Sequence, residues 1–323
     1  MLIRHITFII LLTGFVFSQQ SLNERPYSFE NDLSREEVPV YMMPELDIDL
    51  LLEEDSQPGI KPFRYGYRHE INISTTNAGS WDILENGDAI WRIKIVSEGA
   101  YNVRMIFSDL SLPDGSRLHI YKEDGGEFFG AYTSENNADY FSSPLVNGDY
   151  AIIEYYEPSN VDFNANIQIA KVVHDYRNFY EMISDDRDAC GMNVVCSEAD
   201  PYEDQINAAA HLDLGWSICS GAMINNTAND LTPYFLTANH CTQGANPSGF
   251  RFYFNYQRSS CTATNWGSMG PYAYGSQLKW QSNDFTGNDN ITENDVALLE
   301  INGTIYDSWD VYYAGWNRST TNS

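Results

Sequence analysis

The stretch Tyr234-Phe235-Leu236-Thr237-Ala238-Asn239-His240-Cys241 decides the fold. It is a short apolar run that ends on a histidine beside a cysteine, and it follows a second run, Cys219-Ser220-Gly221-Ala222-Met223-Ile224, across a polar loop. Runs of this length and composition read as β-strands. A disulfide from Cys219 to Cys241 would tie the two runs together and hold His240 at the end of its strand. An imidazole acting as general base needs such fixing, because it must stay within hydrogen-bond reach of a nucleophile.

Downstream, Asn294-Asp295-Val296-Ala297-Leu298-Leu299-Glu300-Ile301 places an acid at the mouth of a strongly apolar strand. An aspartate there can accept the second N–H of a histidine, select its tautomer and stabilise the imidazolium. Asp284, in Ser282-Asn283-Asp284-Phe285, is a rival beside an aromatic residue, but no continuous apolar strand follows it. His211 has no motif around it, and a strand or loop role is expected there.

Outward from this region, the first residues set the compartment. Arg4 and His5 precede an apolar run from Ile6 to Leu12 that resumes at Phe15 and closes at Val16-Phe17-Ser18, which reads as a secretory signal peptide over 1–18. The run is shorter than the roughly 20 residues a membrane span needs. The expected product is soluble and extracellular, without a membrane span. Residues 19–64 are polar and acidic, with Glu53-Glu54-Asp55 near their end, and read as a mobile leader or linker.

From 65 to 180 the pattern alternates with period two. Trp91, Ile93 and Ile95 interleave with Arg92 and Lys94, and Tyr101, Val103, Met105 and Phe107 follow. Asn86-Gly87, Asp114-Gly115, Asp124-Gly125 and Asn147-Gly148 punctuate the runs as tight turns, so an antiparallel β-sandwich is expected. Its histidines, His69, His119 and His174, lack metal-ligand spacing and read as structural or surface residues. The acidic stretch Ser184-Asp185-Asp186-Arg187-Asp188 is the expected boundary and a possible processing site.

The formal charge of -27 repels nucleic acid and anionic lipid, and no local basic patch offsets it. Five cysteines, all between Cys190 and Cys261, imply disulfides in an exported protein, yet an odd number leaves one without a partner.

The histidine and aspartate stretches quoted above resemble the corresponding signatures of trypsin-like serine proteases, and the lysyl endopeptidase branch matches best. Further matches are Cys190 and Cys196, Ile224-Asn225-Asn226-Thr227-Ala228, Phe254-Asn255-Tyr256-Gln257 before Cys261, and Tyr313-Ala314-Gly315-Trp316-Asn317-Arg318. The resemblance covers 188–323. It implies an all-β chain, with the sandwich as propeptide or accessory domain ahead of the first β-barrel, and the start of the second, of a chymotrypsin-like double barrel. It makes His240 the general base, Asp295 its orienting acid, and Cys219–Cys241 and Cys196–Cys261 the disulfides. Cys190 is then left unpaired.

The resemblance further implies peptide-bond hydrolysis through an acyl-enzyme, protein or peptide substrates, no metal or organic cofactor, and a monomer; a preference for lysine is suggested by the branch alone. The departure lies at the nucleophile. After Trp316 no Gly-x-Ser-Gly turn occurs, and Ser319 and Ser323 sit in a polar tail. The expectation is an inactive chain that stops before the catalytic serine. The alternative is a secreted binding or adhesion protein with a non-catalytic protease-like domain.

Overall fold

The computed structural model describes residues 21–35, 37–181, 192–263, 269–286 and 294–317. The signal-peptide stretch 1–18, the boundary stretch Ser184–Asp188, Cys190, Ser319 and Ser323 lie outside the described residues.

Residues 21–64, expected as a mobile leader, form discrete elements instead: α1 (Tyr27–Glu30), β1 (Val40–Met42), α2 (Ile48–Ser56) and β2 (Phe63–Arg64). Asp47 starts α2 by accepting the Leu50 N–H at 3.0 Å, as an N-cap aspartate does. The polar composition that suggested mobility serves docking. Asp55 accepts from Arg64, Arg177 and the Tyr176 hydroxyl, and hydrogen bonding to these donors holds its carboxyl below the usual range against the opposing effect of burial.

The sandwich is built from β3 (Gly66–Ser74), β4 (Ser80–Ile83), β5 (Ala89–Val96), β6 (Asn102–Ser111), β7 (Arg117–Tyr121), β8 (Phe128–Tyr132), β9 (Phe141–Ser142), β10 (Val146–Asn147), β11 (Tyr150–Glu157) and β12 (Asn166–Asp175). One sheet runs β1-β5-β11-β7-β8 with β4 also on β5, and the other runs β10-β6-β12-β3 with β9 also on β6. The sandwich strands pair antiparallel; the leader strand β1 joins β5 in parallel. Trp91, Ile93 and Ile95 of β5 meet Val103, Met105 and Phe107 of β6 in the core, as the period-two pattern demands.

The opposite face of β5 departs from that pattern. Arg92, at a solvent-facing position by alternation, is buried opposite a fully buried Glu154. The leader covers both residues: Arg92 donates to the Ser34 carbonyl at 2.6 Å, and Glu154 accepts the Ser28 N–H at 3.2 Å.

The third unit comprises α3 (Glu203–Ala208), β13 (Ala209–Asp213), β14 (Ser217–Ile224), β15 (Tyr234–Thr237), β16 (Arg251–Phe254), β17 (Tyr272–Tyr274), β18 (Ser276–Gln281) and β19 (Ala297–Ile301). Their order is β17-β16-β13-β14-β15-β19-β18. Only Gly275, at φ 77°, separates β17 from β18, so the two ends of the sheet are one strand bent at a position that suits glycine, and the sheet curls into a barrel. Leu212, Met223, Phe235, Phe252, Phe254, Leu299 and Ile301 fill it.

Sandwich and barrel meet through a buried polar cluster. Arg104 of β6 bonds Asp213 of β13 at 2.7 and 3.1 Å, and Tyr65 donates its hydroxyl to the same aspartate at 2.9 Å. Burial pushes the Tyr65 hydroxyl well up, while Arg104 holds Asp213 below the usual carboxylate range despite complete burial.

Candidate active site

β15 and β19 pair antiparallel, with Thr237 opposite Ala297. The chain leaves β15 through Ala238 into a single turn, Asn239–Cys241, while Asp295 lies two residues before β19. Adjacent strand ends thus bring together two residues 55 positions apart. Asp295 grips the histidine at two points: Oδ2 lies 2.6 Å from His240 Nδ1, and Oδ1 accepts the His240 backbone N–H at 2.9 Å. An ionised aspartate at Nδ1 keeps the proton on that nitrogen and leaves Nε2 with a free lone pair. Both side chains remain about one-fifth exposed, at 21% and 24%.

Cys219 and Cys241 form a disulfide that joins β14 to the turn carrying His240, and Cys219 Sγ stands 3.9 Å from His240 Nε2. Cys196–Cys261 is the second pair, so both bonds match the pairing implied by the resemblance. Cys219, His240 and Cys241 place possible ligand atoms within 4.8 Å of one another, but disulfide sulfurs have no thiolate to offer a metal.

Polar pegs beneath the pair escape the sequence reading. Asn239, buried beside the histidine, donates to the Ser282 carbonyl at 2.8 Å and to its Oγ at 3.1 Å, and Val296 N–H reaches the same Oγ at 3.3 Å. These bonds tie the turn bearing His240 to the segment bearing Asp295. The signal available was Asn239 itself, an amide inside an apolar strand end. The Phe285 ring, centred 6.4 Å from that of His240, closes one side.

The rival Asp284 accepts from Asn294 at 2.6 Å on the exposed rim. His211 lies on β13 in register with Ser220 and Tyr253. His69, His119 and His174 are buried in the sandwich, where desolvation lowers His119 and His174 to about 4.

Comparison with known proteins finds relatives over two regions of the chain. The family described as lysyl endopeptidase, C-terminal domain, matches residues 184–323, and the lysyl endopeptidase N-terminal domain matches residues 53–175. A lysyl endopeptidase of Pseudomonas aeruginosa is 25% identical over 274 residues, which cover 77% of this chain and 56% of that protein. The chain therefore spans about half the length of this curated relative. Among the described residues, no helix is long and apolar enough to cross a membrane. Over both matched regions the chain is similar to the domains of lysyl endopeptidases.

Proposed function

We propose that this chain carries the general base and orienting acid of a secreted serine endopeptidase precursor. Its layout would be a signal peptide over 1–18, a leader over 19–64, a sandwich propeptide or accessory domain over 65–180 and a protease region from 188. The observation that carries the reading is the two-point grip of Asp295 on His240. In the reaction, Nε2 takes the proton of a serine hydroxyl as its oxygen attacks the peptide carbonyl. The same nitrogen returns the proton to the leaving amine, and Asp295 stabilises the imidazolium between the two steps. The relative's name, lysyl endopeptidase, makes lysine the first side chain to test before the scissile bond.

A nucleophilic serine needs a tight turn that exposes Oγ and aims backbone N–H groups at the oxyanion. No Gly-x-Ser-Gly turn stands among these 323 residues, so the proposal is confined to the base and its partner, and this chain alone is expected not to turn over peptides. Peptidase activity of the natural secreted product, measured on lysine-containing peptides, should fall about 10⁴-fold or more with His240→Ala. Undiminished activity would remove the assignment. A purified 323-residue chain that hydrolysed peptides and was labelled by a serine-directed phosphonate would place the nucleophile within it instead. Processing at Ser184–Asp188 predicts a new amino terminus there; recovery of secreted material beginning only at Gln19 would exclude it.

A further inference from the structure

One side of β14 is taken up by β13, which pairs with Ile218–Ala222. The opposite side is shared. Ala222–Ile224 pair with β15, whereas Ser217 and Ile218 pair with β2, the two-residue strand of the leader. Between these ladders lie Cys219, Ser220 and Gly221, and at Cys219 the Sγ stands 3.9 Å from His240 Nε2. A sheet edge that ends beside a general base is a place where an extended peptide can add as a strand, held by backbone hydrogen bonds. Here the chain's own leader holds that place.

The register specifies how. Tyr65 N–H donates to the Trp216 carbonyl at 3.2 Å, so in an antiparallel ladder the pair two residues on, Phe63 with Ile218, is again a hydrogen-bonded one. Continued one and two residues toward the histidine, the same register sets Pro62 level with Cys219 and Lys61 level with Ser220. Pro62 falls at a non-hydrogen-bonded position, and the Ser220 carbonyl that the next pair would use accepts the Thr237 hydroxyl at 2.8 Å, so the ladder ends there.

The anchoring is uneven. Tyr65 is fully buried and tied to the Arg104–Asp213 cluster. Phe63, by contrast, is half exposed beneath the Arg177 guanidinium, 5.0 Å from the ring centre, and Arg64 is held from outside by Asp55 at 2.7 Å and Glu54 at 3.0 Å. The strand can peel away from β14 while Tyr65 stays fixed.

We propose that Lys61–Arg64 is an internal strap that occupies a peptide-binding edge beside His240 and must leave before another peptide can bind there. Its inhibitory consequence rests on the reading of His240 as general base; occupancy of the edge does not, and the test separates the two.

The probe is a fluorescein-labelled peptide of the chain's own residues 59–64, followed by anisotropy on the purified 323-residue chain. Phe63→Pro removes the amide hydrogen paired with Ile218 and should raise affinity for the peptide at least tenfold over the unsubstituted chain, with loss of amide-exchange protection at Ile218. Arg64→Ala, which leaves the backbone intact, should give a smaller gain in the same direction and decides the matter if Phe63→Pro does not fold. Equal affinity in all three proteins, or no binding by a folded Phe63→Pro chain, overturns the proposal. Adding His240→Ala to Phe63→Pro should leave peptide affinity unchanged, so a failure of the catalytic reading would appear in peptidase activity and not in this titration.

Discussion

Two side-chain pairs of nearly equal length involve barrel residues, and they differ in what surrounds them. Arg104–Asp213, at 2.7 Å, joins sandwich to barrel with exposures of 1% and 0%. His240–Asp295, at 2.6 Å, sits at the strand ends with 21% and 24%. A charge removed from water must keep its partner, so the first pair commits two domains to one arrangement. The second pays little for desolvation and keeps one ring nitrogen available for chemistry. Burial marks the first as a fastening, and partial exposure leaves the second within reach of solvent, as the proposed role requires.

The largest effect expected on breaking this contrast comes from Arg104→Ala, which strands Asp213 without its cation and should cost about 3–5 kcal/mol in denaturant unfolding. Replacing both members, Arg104→Met with Asp213→Leu, should recover most of that loss; a double variant as unstable as the single one would contradict a pairwise origin. Next comes removal of Cys219–Cys241 by paired serine substitution. Loss of a loop with a sequence separation of 22 should cost about 3 kcal/mol on loop-closure grounds and loosen the turn that holds His240.

Acid should act on the sandwich through His119 and His174. Burial lowers both from 6.5 to about 4, so the unfolded chain binds more protons than the folded one between those values. Stability is therefore lost as pH falls from about 6.5 toward 4. Thermal melts across this range should show the decline, and His174→Gln should flatten part of it. The smallest stability effect belongs to Asp295→Asn, within about 1 kcal/mol, because the pair it weakens is partly solvated.

The elements legible in the sequence were those whose signals are local. Period-two alternation identified β5 and β6, and the apolar strands flanking His240 and Asp295 identified the barrel region. What alternation could not reveal was what lies over a face. Arg92 follows the outward rule and is buried all the same, because a leader from more than 50 residues earlier in the chain covers it, as its bond to Ser34 shows. Arg104–Asp213 spans 109 residues and belongs to a docking surface that neither domain displays in its own pattern. The leader misled for the same reason: its acids read as solvated, yet Asp55 is spent on Arg64, Arg177 and Tyr176. The choice of Asp295 over Asp284 rested on the strand that follows it, and strand position is what sets the two apart in space.

The central claim is that Asp295, and not Asp284, fixes the proton on His240 Nδ1. Proton NMR of the 323-residue chain tests it most directly, through the downfield Nδ1–H resonance that a 2.6 Å contact to a carboxylate produces. That resonance should persist in Asp284→Asn and disappear in Asp295→Asn. Its survival in Asp295→Asn, or its loss in Asp284→Asn, would contradict the assignment.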